Sequence, residues 1–194
     1  MKTRILFNIF LILAIALTSC KKEDEIVEDE NNNKNDFITT EIGGTNYKSV
    51  SIDGFNNLSD SSNWNIYPDG VFLIDTVNRF NGEASVNLTA EGGCFKLEKI
   101  EGVPVDKEKI YVIHFHYKLL ETQIGETGHC VGDFMIWLKQ GDETLLLDGC
   151  QGIESWTEKY FYFQPINNVP VKIELLVGTE HGVWLDDLIV FEEY

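Results

Sequence analysis

The period-two alternation of this chain constrains its fold more than any other feature. Tyr111-Val112-Ile113-His114-Phe115-His116-Tyr117-Lys118 puts Tyr111, Ile113, Phe115 and Tyr117 on one face of an extended segment and His114, His116 and Lys118 on the other. Similar short runs occupy 64–67, 70–77, 84–89, 94–100, 109–120, 134–139, 144–147, 159–164, 171–177 and 183–191. Turn residues stand between them: Pro68-Asp69-Gly70, Asn81-Gly82, Gly92-Gly93, Gly141-Asp142 and Asn167-Asn168. No stretch holds a helical period. Many short strands joined by turns predict an all-β sandwich or jelly roll over 41–194.

The faces differ in chemistry. Phe134, Ile136 and Leu138 oppose Met135, Trp137 and Lys139. Phe161 and Phe163 oppose Tyr160 and Tyr162. Val171, Ile173, Leu175 and Val177 oppose Lys172, Glu174 and Leu176. The second set of faces thus carries Trp, Tyr and His beside the charges. An aromatic ring offers a flat apolar platform to the C–H surface of a sugar, and carboxylates and imidazoles bond its hydroxyls. Trp137, Tyr160, Tyr162, His114, His116 and Glu174 are therefore the candidate ligand-binding residues, expected together on one face. The competing reading makes these aromatics a second packing layer or the floor under a loop. Trp64, Trp156 and Trp184 read as core or loop-packing residues.

Lys2 and Arg4 precede an apolar run, 6–17, that ends in Leu17-Thr18-Ser19-Cys20. The run is shorter than the ~20 residues a membrane span needs and reads as a cleaved export signal, 1–19. Leu-Thr-Ser-Cys resembles the bacterial lipobox, which implies lipidation of Cys20. The acidic stretch after it resembles the surface-export signal of Bacteroidetes lipoproteins. Residues 20–40 are polar and read as a flexible tether. The expected location is the outer membrane, lipid-anchored and exposed at the cell surface.

The chain has 15 basic and 32 acidic residues; loss of 1–19 removes Lys2 and Arg4 and leaves a balance of −19. Such a surface disfavours nucleic acid, which binds through cations on its phosphates, and restricts membrane contact to the anchor. An exported domain is oxidised. Cys130 and Cys150 flank a hairpin expected around Gln140-Gly141-Asp142-Glu143, so a Cys130–Cys150 disulfide is predicted, with Cys94 a free buried thiol. Pairings through Cys94 stay open.

The order of short motifs extends this picture. Ile52-Asp53-Gly54-Phe55-Asn56 and Trp64-Asn65-Ile66-Tyr67 open the domain. Phe80-Asn81-Gly82-Glu83-Ala84-Ser85-Val86-Asn87-Leu88 and the 111–118 strand follow. Trp156 precedes a strand, and Val183-Trp184-Leu185-Asp186-Asp187-Leu188-Ile189-Val190 closes the chain. This arrangement resembles the jelly-roll carbohydrate-binding modules with a galactose-binding-domain-like fold. The resemblance implies a structural calcium held by Asp53 and Asp186, although Asn56 stands where an acid commonly follows the Phe. The other reading of Asp186-Asp187 is a strand-end or bulge pair bonded to nearby backbone amides.

Catalytic patterns are sparse. No G-x-S-x-G, H-E-x-x-H or P-loop is present. His114 and His116 with Glu121 and Gly128 partly resemble the first cupin motif, but Glu108 stands where that motif has Gly. Asp133, Glu174 and Asp186 are the candidate acids for glycan cleavage, and His129-Cys130 is a thiol–imidazole pair by adjacency alone. The sequence thus favours a surface-anchored, non-enzymatic carbohydrate-binding lipoprotein that captures a polysaccharide and hands it to partner proteins. The alternatives are a protein-interaction module of a surface complex and a small jelly-roll enzyme, cupin-like or glycan-cleaving.

Overall fold

Apolar side chains at alternate positions can be buried only if strands stack their greasy faces against one another. The computed structural model, which describes residues 37–56, 58–67, 70–91, 95–119, 134–150, 155–178 and 182–194, does this with two antiparallel sheets. The strands are β1 (Thr39–Ile42), β2 (Thr45–Asp53), β3 (Trp64–Ile66), β4 (Gly70–Asp75), β5 (Ser85–Ala90) and β6 (Phe95–Lys99). They continue with β7 (Tyr111–Leu119), β8 (Phe134–Gln140), β9 (Glu143–Cys150), β10 (Thr157–Phe163), β11 (Lys172–Val177) and β12 (Val183–Glu193). A short 3-10 turn, Leu58–Asn63, precedes β3.

The larger sheet is organised around β12. One edge of β12 pairs with β7, which pairs with β10. The other edge pairs with β5 through Val183–Leu185 and with β2 through Leu188–Glu193. β4 extends the sheet beyond β5, and β1 extends it beyond β2. The smaller sheet runs β3-β6-β11-β8-β9. Phe115 and Tyr117 of the larger sheet meet Phe134 of the smaller one at ring separations of 6.1 and 6.4 Å. Val86, Leu88, Ile113, Leu185, Ile136, Leu138, Ile173 and Leu175 complete this layer, all essentially inaccessible to water. Burial of each such side chain is worth about 1.5–3 kcal/mol.

The β8–β9 hairpin forms where the sequence places it, with Gln140 opposite Glu143. Gly141 has φ +61°, the left-handed value demanded at the first central position of such a two-residue turn. A second hairpin, β1–β2, turns at Gly43-Gly44, both at positive φ, and begins at Thr39, inside the stretch read as tether. The chain turns differently at β12. Asp187 takes φ 51°, and the register against β7 slips between Asp186 and Ile189. This bulge absorbs one residue, so Leu185 and Leu188 both face the core while Ile189 and Phe191 face outward.

The predicted disulfide is corrected at one of its two cysteines. Cys150, opposite Phe134 at the end of β9, is a free thiol packed into the core. Burial pushes its ionisation up to about 12. Cys130 and Cys94 lie outside the described residues, as do Cys20 and the signal and tether up to residue 36.

Candidate functional site

The six candidate binding residues do not share a face. His114 and His116 stand on β7 and Tyr160 and Tyr162 on β10, on the outer side of the larger sheet. Trp137 on β8 and Glu174 on β11 stand on the outer side of the smaller sheet. Strand alternation assigns a residue to one of two sides; it does not say which sheet a strand joins. The two groups also differ in availability. The Trp137 ring is capped by Lys139 Nζ at 3.4 Å, and its Nε1 donates to Thr144 Oγ1 at 3.0 Å. Glu174 is buried and accepts from Lys139 at 2.9 and 3.0 Å, with Lys96 at 3.9 Å. These side chains are absorbed into a lattice of ion pairs.

On the larger sheet the neighbours converge. Register sets His114 beside Tyr160 and His116 beside Glu158, with Asp186 on the other flank of His116. The Tyr160 ring lies over His114 at 4.6 Å, and Phe80 lies over His116 at 3.6 Å, both nearly parallel. Trp156 leans on Phe80 at 6.0 Å. Glu158 Oε1 accepts from Tyr160 Oη and lies 3.0 Å from His114 Nε2 and 3.8 Å from His116 Nε2. Tyr47, Val112, Ile189 and Phe191 form a small apolar cluster on the same face.

Protonation follows from these contacts. Burial, with His114 close by, lowers the basicity of His116, against the pull of Asp187 and Glu158, and favours a neutral ring. The Tyr160 hydrogen bond, with His114, holds the Glu158 carboxyl below its usual range despite partial burial. Burial and then Glu158 push the Tyr160 hydroxyl up to about 12. An ionised carboxylate, a neutral imidazole and a donating phenol are thus in place at neutral pH. Phe80, Tyr160 and Tyr162 remain 48%, 37% and 53% exposed above them.

Phe80 is held there by the residue expected to bind calcium. Asp186 Oδ2 accepts from the amides of Phe80 and Asn81, each at 3.0 Å, and Oδ1 accepts from Asp187 N at 2.9 Å. Asp53 forms a buried ion pair with Lys99 at 2.6 Å. Asp53 keeps one oxygen, Oδ1, buried without a hydrogen-bond partner, but Lys99 compensates its charge and backbone amides occupy Asp186, which is not the oxygen-rich, uncompensated cradle that calcium takes. The two acids do not fit the ion, and the bulge reading of Asp186-Asp187 describes the geometry. Asn56, the departure noted in the sequence, serves the same loop, accepting from Glu83 N at 3.0 Å. Among the described residues, the side chains suited to a metal are instead His114, His116 and Glu158, whose donor atoms lie within 4.8 Å of one another. Glu121 and Gly128 of the cupin-like spacing lie outside the described residues, as do His129, Cys130 and Asp133.

Sequence reasoning missed Glu158 and Phe80. Glu158 was legible, since it shares the face of Tyr160 and Tyr162 by alternation. Phe80 sits in a turn, where periodicity carries no face. Trp184, read as packing, lies on the same outer face of β12, buried, with Nε1 donating to Asp75 Oδ2 at 2.7 Å. With Leu73, Ile74, Asp75, Thr76 and Asn87 it lines an open depression of about 380 Å³.

No family model and no curated protein matches the chain. Solved structures share its architecture. The chain is similar to the CBM22-1 xylan-binding domain of Paenibacillus barcinonensis Xyn10C, with TM-score 0.53 and 13% identity, over 74% of this chain and 94% of that one. The C-terminal family 22 carbohydrate-binding module of Clostridium thermocellum Xyn10B gives TM-score 0.51 and 10% identity, over 73% and 92%. The N-terminal CBM22-1–GH10 modules of Clostridium thermocellum xylanase 10B, complexed with xylohexaose, give TM-score 0.51 and 14% identity, over 73% of this chain and 28% of that one. The fold of the described residues in 37–194 is a jelly-roll β-sandwich, the fold these structures share.

Proposed function

We propose that the domain is a non-catalytic carbohydrate-binding module that takes a polysaccharide on the outer face of its larger sheet, and that Cys20 anchors it to the outer membrane with the domain at the cell surface. The observation that carries the glycan reading is the stacking of two exposed rings, Phe80 and Tyr160, on His116 and His114 beside Glu158, with the exposed Tyr162 next along the same face of β10. Rings meet the apolar patches of a pyranose, and the imidazoles and carboxylate bond its hydroxyls. The xylan-binding domain among the fold neighbours supports the class of ligand and directs the first choice of glycan. The anchor rests on the lipobox-like Leu17-Thr18-Ser19-Cys20.

Affinity electrophoresis of the purified protein through gels containing xylan, mixed-linkage β-glucan or galactan tests the proposal. Retention by at least one of them is expected. Tyr160→Ala and Tyr162→Ala should each weaken it by about tenfold, equivalent to about 1.4 kcal/mol, while melting stays close to wild type. Free migration in every gel, together with capture of an envelope protein that added sugar does not displace, would support the protein-interaction alternative.

A further inference from the structure

The geometry points to a transition-metal site of the zinc class on the same face, with His114 Nε2, His116 Nε2 and the Glu158 carboxylate as its protein ligands. It does not depend on the glycan reading. The three side chains project from adjacent, hydrogen-bonded strands: two histidines at i and i+2 of β7 and an acid opposite the second of them on β10. Both Nε2 atoms are directed at one carboxylate oxygen, at 3.0 and 3.8 Å, and all three donor atoms lie within 4.8 Å. Tetrahedral zinc, bound at about 2.0–2.2 Å, separates its ligands by about 3.3 Å. Closing to that spacing needs the two imidazoles to approach each other as well as a shift of Glu158, whose half exposure leaves its carboxylate room to follow.

A hydrogen-bonded trio does not account for His116. The ring is 7% exposed, and 3.8 Å from Glu158 is too long for a hydrogen bond. Its Nδ1 is buried with no hydrogen-bond partner, while Asp187 Oδ2 stands 3.8 Å away. A metal on Nε2 fixes the proton on Nδ1, and a short shift then gives that N–H a carboxylate acceptor. This is the usual outer support of a metal-bound histidine. It also gives the bulge at Asp187 a use, since the left-handed backbone there sets the carboxylate beside His116. Phe80 and Tyr160 clamp the two imidazoles from the sides. Two imidazoles with one carboxylate select zinc and its transition-metal neighbours over calcium and magnesium, which take oxygen ligands. Three protein ligands leave a fourth position for water.

The full chain, stripped with a chelator, is titrated with zinc and separately with calcium by calorimetry, and its metal content is measured after dialysis. One zinc per chain and no saturable calcium are expected. His114→Gln and Glu158→Gln should weaken zinc binding by at least 100-fold with native circular dichroism retained, and Asp187→Asn by about tenfold. Long-range nitrogen–proton NMR should show both rings as Nδ1–H tautomers on zinc addition, a signature that a merely structural Asp187 would not alter. No saturable zinc, or unchanged zinc affinity in both His114→Gln and Glu158→Gln, overturns the site. Equal affinity for calcium does the same. Glycan retention is measured on the stripped protein, so the two proposals fail separately.

Discussion

At the residue scale, two carboxylates predicted to be ligands, and one that was not singled out, act as fasteners. Asp53 neutralises Lys99 in a nearly dry environment, where removal of either partner strands a charge. Asp75 is the hub beneath the loop that carries Phe80. It accepts from Trp184 Nε1 at 2.7 Å, Val77 N at 2.8 Å, and Asn78 N and Nδ2, each at 3.0 Å. Burial alone would raise its pKa, but these bonds outweigh it and bring the value down to about 2 from the ordinary 3.8. A folded-state pKa below the unfolded one stabilises the fold above the unfolded value, and that stability is lost as pH falls through the folded value. Asp75 should therefore contribute about 1 kcal/mol near neutrality, after allowance for solvent screening at this partly exposed site, and lose it between about pH 4 and pH 2. Urea denaturation of wild type and Asp75→Asn checks this. The gap between them should close across that window, and a gap independent of pH would refute the assignment.

At the element scale, the β8–β9 hairpin shows how one polar side chain inside a core strand fixes a distant turn. Gln140 ends β8 at 2% exposure. Its Nε2 donates to the carbonyls of Asn167 and Val169 at 2.8 and 2.5 Å, and its Oε1 accepts from Ile166 N at 2.7 Å. Gln140→Ala would leave buried backbone groups without partners, each costing about 1–3 kcal/mol. Chemical denaturation should show a loss of about 2–3 kcal/mol, and a loss below about 0.5 kcal/mol would mean that water replaces the amide. Most strands, and the core faces of β7, β8, β10 and β11, were legible because period two is written directly into the residue order. β1 and β2 were not identified, although Gly43-Gly44 between Thr and Ile residues is a hairpin signal, because the polar stretch before them reads as linker. The candidate site was half legible. Each strand announced its own mixed face, but the pairing of β10 with β7 and of β8 with β11 is a long-range choice set by core complementarity. That choice put Trp137 and Glu174 on the far side of the sandwich. The bulge in β12 was invisible to periodicity, because it is the place where periodicity breaks.

At the scale of the whole molecule, the proposed function joins a sandwich with one aromatic-bearing outer face to an N-terminal lipid anchor. A binding face raises the local concentration of a polymer at a surface only if the domain is held there, and two or more acyl chains suffice for stable attachment. The acidic composition fits the same proposal, because a net negative charge disfavours contact of the domain with anionic headgroups. On that proposal Cys20 is the residue that sets location, and the domain, 37–194, clusters as a compact unit of its own. In a bacterium with an outer membrane that processes lipoproteins, growth with an alkyne-bearing fatty acid should label the full chain. Cys20→Ala should abolish the label and release the protein from the membrane fraction, with glycan retention of the purified protein unchanged. External protease should remove the wild-type domain from intact cells. An unlabelled wild-type chain, or label that persists in Cys20→Ala, would sink the anchor, and a labelled chain resistant to external protease would place the same domain on the inner leaflet.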